Sequence, residues 1–236
     1  MNNIEYLGSA QRSIGLLYLS RFQKPNHPGG WVYSVHIDGD LLMSSESPLS
    51  ERRLATSAIA AHQGTGQLRT LVGGLGLGYT AAAALDSPRT SVVRVVDPMD
   101  FVFEWVRKGL LPLSEQLNTD ERVEFAQGDV YDDLLGEASE QWDLILIDVD
   151  HAPDMPLDPK SLVFYTPQGQ RRVREHLAPG GVLAVWSAHD NDAFAAVLAE
   201  VYDKVWREPV NWRVPFPGQD DQMLRNTLFF GCRATT

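Results

Sequence analysis

The sequence predicts an α/β protein built on a doubly wound, mostly parallel sheet, and three observations predict it. From Gln67 onward, strand-like apolar runs alternate with helical stretches, the pattern of consecutive β-α units. The runs WDLILID and GVLAVWS are nearly all apolar, as strands covered by helices on both faces should be. Residues 70–100, TLVGGLGLGYTAAAALDSPRTSVVRVVDPMD, read as strand, glycine turn, alanine-rich helix and a second strand that ends in an acid.

Taken in order, residues 1–30 carry little pattern and end in KPNHPGG, a breaker cluster read as a loop. WVYSVHIDGDLLMSSES is two apolar stretches joined at Asp38–Gly39, a hairpin signal because both residues tolerate positive φ. Ser50 is placed to cap a helix running to about Gln63. This N-terminal β element and linking helix, 1–63, precede a nucleoside-binding domain over 64–236. Its strands fall near 68–74, 91–97, 122–127, 142–148 and 181–187, with helices near 79–86, 99–108, 131–137, 166–177 and 192–202. In the tail, KVWREPVNWRV and LRNTLFFGC flank PFPGQDDQM with no helix between them, which predicts an antiparallel hairpin at the sheet edge. Trp186, Trp206 and Trp212 read as sheet residues.

Composition narrows the partners. The formal charge is −11, from 20 Lys and Arg against 31 Asp and Glu, and basic residues never run beyond pairs. Binding to nucleic acid through phosphate neutralisation is therefore disfavoured, while a small cationic acceptor is tolerated. The single cysteine, Cys232, forms no intrachain disulfide and reads as a small apolar residue of the last strand. MNNIEYLGSAQRS has neither a basic stretch nor a long apolar core, and no run approaches a membrane span, so a cytoplasmic location is expected.

In doubly wound sheets ligands bind beyond the carboxyl ends of the strands. There stand Gly74, Gly76 and Gly78, then Asp97, whose carboxylate suits two ribose hydroxyls and whose strand end reads as an open crevice. A dinucleotide fingerprint would need glycine at Tyr79; G-x-G-x-G is the form typical of S-adenosylmethionine-binding transferases. Gly128 and Asp129 follow the third strand, with Asp129 suited both to an adenine amino group and to capping the next helix. The fourth strand ends at Asp148 and opens into DVDHAPDMPLD, where Asp150, Asp154 and Asp158 have the look of turn residues. Asp148, ending a buried strand, is suited to hold an ammonium or take a proton from a nucleophile. Tyr165 stands where that loop meets a helix, able to line an acceptor pocket or to pack in the core. Beyond the fifth strand, His189 is a candidate base, and Asp190 or Asp192 a helix cap. Asp148, Asp190 and Asn191 are also conceivable oxygen ligands for magnesium, although no metal is expected.

With these residues in hand, the sequence resembles the spermidine synthase-like, or polyamine aminopropyltransferase-like, branch of the class I S-adenosylmethionine-dependent methyltransferase fold. The resemblance rests on VGGLGLGYT, VVDP, FAQGDVYD, WDLILIDVDHAP, FYTPQG and LAPGGVLAVWS, in order, from about Tyr33 to the C-terminus. It implies a Rossmann-like fold, a nucleoside ligand on Gly74, Gly76 and Asp97 with its adenine at Asp129, and Asp148 facing the transferred group. Asp150 and Tyr165 would join Asp148 on the acceptor side. The co-substrate would be S-adenosylmethionine or its decarboxylated form, and the assembly a homodimer joined near the N-terminal hairpin.

The chain departs from the branch mainly on the acceptor side. The family's GGGDGG is GGLGLG here, with Leu75 or Leu77 in place of aspartate; its D-S-S-D-P loop has His151 at the second acid; Gln170 replaces its second tyrosine. The expected activity is therefore transfer of a methyl or an aminopropyl group to a small acceptor. The alternatives are a genuine polyamine aminopropyltransferase and a nucleoside-binding protein without turnover.

Overall fold

A computed structural model describes residues 4–12, 15–24, 29–149, 151–214 and 222–235. The predicted acidic-loop residue Asp150, most of the KPNHPGG loop and the tip of the C-terminal hairpin lie outside them.

The main sheet has seven strands. β5 (Leu68–Gly73), β6 (Thr90–Asp97), β7 (Val123–Gln127), β8 (Trp142–Ile147) and β9 (Leu177–Ser187) are parallel, and β10 (Lys204–Val214) and β11 (Gln222–Cys232) close one edge as an antiparallel hairpin. The spatial order is β10-β11-β9-β8-β5-β6-β7, so the chain reverses direction across the sheet between β5 and β8, where Gly73 pairs with both Val96 and Ile147. Helices α1 (Leu49–Ala61), α2 (Tyr79–Leu85), α3 (Asp100–Arg107) and α4 (Ser114–Thr119) accompany the first strands; α5 (Val130–Leu135), α6 (Pro167–Glu175) and α7 (Asp192–Val201) accompany the later ones.

The apolar strands bury both faces, and their alternation divides the core. Val72, Leu144 and Leu146 face one cluster with Leu54 of α1, Ala81 of α2 and Val102 of α3. Leu71, Ile145 and Ile147 face another, with Leu134 of α5, Val173 of α6 and Phe194 of α7. Each of these valine, leucine, isoleucine and phenylalanine side chains, once fully buried, contributes roughly 1.5–3 kcal/mol relative to exposure.

The N-terminal region departs from the sequence reading. Residues 1–30 supply two strands, β1 (Ile4–Arg12) and β2 (Gly15–Gln23), which join β3 (Trp31–Ile37) and β4 (Asp40–Ser44) in a four-stranded antiparallel sheet in the order of the chain. A register shift between Tyr6 and Gly8 breaks the period-2 pattern by which a strand is recognised. Gly8 is needed where it stands, since a Cβ there would lie 2.8 Å from Trp105 Nε1 on α3. Leu17, Leu19 and Val35 extend the first core cluster into this sheet.

Smaller corrections have local causes. Pro48, not Ser50, occupies the N-cap of α1; Ser50 lies inside the helix and its hydroxyl donates to Glu51 Oε2 at 2.7 Å. The helix stops at Ala61, because His62 is extended. Helix α4 and the short 3-10 segment Pro159–Val163 lack the apolar periodicity that would announce them. Asn191, rather than Asp190 or Asp192, caps α7 by accepting from Phe194 N at 2.9 Å.

Candidate active site

β5 delivers the chain into a turn in which Gly74, Gly76 and Gly78 have φ of 87°, 52° and 91°, the left-handed region that L side chains rarely enter. The three glycines answer to different neighbours. A Cβ on Gly74 would collide with the main-chain carbonyl of Asp148, and one on Gly78 would come within 2.7 Å of Leu117 Cδ1 on α4. At Gly76 there is room, the nearest atom being Met43 Sδ at 3.7 Å. Gly74 and Gly78 thus allow close packing of turn, strand and helix, whereas Gly76 leaves the backbone accessible to a ligand.

Asp97 ends β6 beside this turn. Its Oδ2 accepts from Leu75 N at 2.9 Å and its Oδ1 from Met99 N at 2.8 Å. The residue is only 3% exposed, not in an open crevice, so it also fastens the turn to the start of the next helix. Burial pushes its pKa above the ordinary carboxylate value and the two amide bonds pull against that shift. Each oxygen retains a further lone pair, which leaves the carboxylate able to accept from a pair of hydroxyls. Next along the sheet, Asp129 caps α5 by accepting from Tyr131 N at 2.9 Å. A Cβ at Gly128 would meet Val96 Cγ1 at an ordinary 3.7 Å, so the packing does not itself demand glycine there.

On the other side of the glycine turn stands a pair of acids. Asp148 follows β8 directly, and its Oδ2 accepts from Thr80 Oγ1 at 2.7 Å. The same hydroxyl is 3.4 Å from the main-chain oxygen of Glu51, in the first turn of α1. Burial raises the Asp148 pKa to about 6, with the Thr80 bond opposing it. Glu51 is raised to about 7, first by burial and then by the Asp148 charge. Tyr79 borders the pair; Arg52 covers its ring at 5.4 Å, and burial raises its phenol.

The remaining predicted residues are spread around this centre. Tyr165 is 8% exposed and packed edge-on between Phe164 and Phe194, with its hydroxyl 3.1 Å from that of Tyr131. His189 Nε2 is 2.9 Å from Asp154 Oδ1 on the rim, joining the loops that follow β8 and β9. Asp190 is held by Arg207 at 2.8 Å, and Asn191 is committed to its helix cap. Both residues thus have other partners, and the described residues contain no group of acids, His or Cys suited to a metal. Glu51 and Thr80 escaped the sequence reading because SERR and YTAAA signal only helix; their relation to Asp148 is created by the packing of α1 against α2 and β8.

A parallel sheet closed by a reversed hairpin, with a glycine turn and a strand-end acid at its switch point, is the Rossmann-like methyltransferase fold. Within that fold the chain is similar to spermidine synthases. The spermidine synthase of Thermotoga maritima superposes with a TM-score of 0.68 at 16% identity, over 98% of this chain and 73% of that one. A spermidine synthase in complex with the transition-state analogue AdoDATO gives 0.70 at 17% identity, over 98% and 74%. The precorrin 8W decarboxylase of Methanobacterium thermoautotrophicum gives 0.54 at 16%, over 78% and 89%. No protein-family model and no curated protein sequence matches the chain. At these identities the likeness establishes the fold.

Proposed function

We propose that the protein is an S-adenosylmethionine-binding transferase that moves a methyl or aminopropyl group to a small acceptor. The observation that carries this reading is the pairing of Asp97 with the open backbone at Gly76, across the switch point of the sheet. The ribose hydroxyls would donate to Asp97, the ligand backbone would pass over Gly76, and Asp129 with Gly128 would border the adenine. Such a ligand supplies an electrophilic carbon beside a sulfonium. The acceptor nucleophile bonds to that carbon as the carbon–sulfur bond breaks, the thioether leaves neutral, and the nucleophile's proton passes to Asp148. An acid poised about pH 6 is ionised at neutrality and basic enough to take it. Asp150 and Tyr165 complete the acceptor side in this reading.

Aminopropyl transfer from decarboxylated S-adenosylmethionine is the second reading. It is favoured by the likeness to spermidine synthases and by two acids at the acceptor side, which suit a cationic amine. The reading includes a cytoplasmic location and a homodimer, and assigns no role to nucleic acid or membrane; no described helix is long and apolar enough to cross a bilayer. Calorimetry with both nucleosides, followed by mass spectrometry of products from an amine, hydroxyl and thiol panel, tests it. Binding of S-adenosylmethionine with methylated product favours the first reading, and binding of the decarboxylated form alone favours the second. Binding without any thioether product refutes transferase activity.

A further inference from the structure

We propose that the acceptor is an amphiphile, one nucleophilic nitrogen, oxygen or sulfur on an aliphatic or aromatic body, and that an apolar rim at the carboxyl pole of the main sheet holds that body. The inference rests on the transferase reading and deepens it by naming the class of acceptor.

The argument starts from where apolar surface is left exposed. From β5 onward, the exposed large apolar side chains among the described residues are Met155, Leu157, Leu162, Val163, Met223 and Leu224, between 41% and 61% exposed. The first four lie in the segment that leaves the sheet at Asp148 and ends at Tyr165, both of them acceptor-side residues in the transferase reading. Ala188 N donates to the His151 carbonyl at 2.9 Å and ties the start of that segment to the end of β9; Leu162 and Val163 belong to the 3-10 turn that leads into Tyr165. Met223 and Leu224 reach the same pole from the hairpin. β11 runs antiparallel to β9 with Thr227 opposite Ser187, the last residue of β9. Leu224 and Met223 therefore project about 10–13 Å past the end of β9, at ~3.3 Å per residue. Single exposed apolar residues are ordinary, but a group confined to one pole marks a binding surface. Because the segment that carries most of it joins two acceptor-side residues, its occupant is the acceptor.

Charge decides what kind of acceptor the rim takes. Three carboxylates of this pole are already matched: Asp154 lies 2.9 Å from His189 Nε2, Asp158 lies 3.6 Å from Lys160 Nζ, and Asp190 accepts from Arg207 at 2.8 Å. A diammonium chain along the rim would set its far charge against apolar side chains, a desolvation that these paired acids do not offset. An alkyl or aryl body gains from the same contact. Asp148, at the inner end, meets the reacting group.

Calorimetry with hexylamine, octylamine and 1,8-diaminooctane, with and without 5′-methylthioadenosine, tests this apart from turnover. Octylamine should bind about tenfold more tightly than hexylamine, since each buried methylene is worth about fourfold, and more tightly than the diamine of equal length. Leu162→Asn combined with Met223→Asn changes two exposed residues on separate elements; it should melt with the wild type, bind S-adenosylmethionine unchanged and bind octylamine tenfold or more weakly. Affinity independent of chain length, tighter binding of the diamine, or octylamine binding untouched by the double substitution overturns the proposal, and a flat series in a protein that floats with phosphatidylcholine vesicles does so in favour of a membrane surface. Chain-length-dependent binding in a protein that transfers nothing to octylamine or octanol upholds the rim and counts only against the transferase reading. Transfer to 1,8-diaminooctane in preference to octylamine upholds that reading and overturns the amphiphile.

Discussion

At the scale of single residues, the acids serve both fold and chemistry, and the balance can be measured. Asp97 satisfies the amides of Leu75 and Met99. Asp97→Ala orphans both in a buried place and should cost about 2–4 kcal/mol of stability as well as nucleoside affinity, checked by urea denaturation beside calorimetry. A variant as stable as the wild type would refute the structural half of that role. The raised acids work in the other direction. A carboxyl whose pKa is higher in the fold than in the unfolded chain favours the fold while protonated, and opposes it as pH rises through the folded value. For Asp148 and Glu51 that window runs from the ordinary carboxylate range up to about 6 and 7. Glu51→Gln should therefore be more stable than the wild type by about 1–3 kcal/mol at pH 8.5 and nearly equal to it at pH 5. A difference independent of pH would contradict the shift.

At the scale of elements, the glycine turn separates packing from binding. Gly74→Ala drives a Cβ into the Asp148 carbonyl and should unfold the switch point. Gly78→Ala meets Leu117 and should lose several degrees of melting temperature. Gly76→Ala meets only Met43 Sδ, at an ordinary 3.7 Å, and should lose least, about 1–2 kcal/mol for a left-handed alanine, while its nucleoside affinity falls most. Thermal melts ranked in another order would contradict these assignments. The turn was legible in the sequence because glycine has few other uses between an apolar run and an alanine-rich helix. So were β5 to β9, whose burial on both faces leaves continuous apolar runs, and the C-terminal hairpin. β1 and β2 were not, since the irregularity at Gly8 and the intermediate burial of Tyr18, Arg21 and Phe22 blur the alternation. Asp97 and Asp148 were legible as strand ends, but the burial of Asp97 and the approach of Glu51 depend on packing between segments distant in sequence.

At the scale of the molecule, the N-terminal sheet presents an outer face on which, among the described residues, several large apolar side chains are exposed. Ile4, Tyr6, Leu16 and Leu41 are 57%, 74%, 44% and 61% exposed on it, and Tyr18 stacks on His36 between them. An uncharged apolar face on a chain of net charge −11 suits a second copy of itself, in line with the proposed homodimer. Sedimentation should give a dimer for the wild type and a monomer for Tyr6→Glu combined with Leu41→Glu; a wild type that sediments as a monomer at tens of micromolar refutes that interface. The central claim concerns the switch point of the main sheet. Calorimetric titration of S-adenosylmethionine and its decarboxylated form into the wild type and Asp97→Asn tests it most directly. The account predicts that the wild type binds at least one of the two and that the variant binds it tenfold or more weakly, about 1.4 kcal/mol or more. A wild type that binds neither nucleoside, or a folded variant that binds as tightly as the wild type, would contradict it.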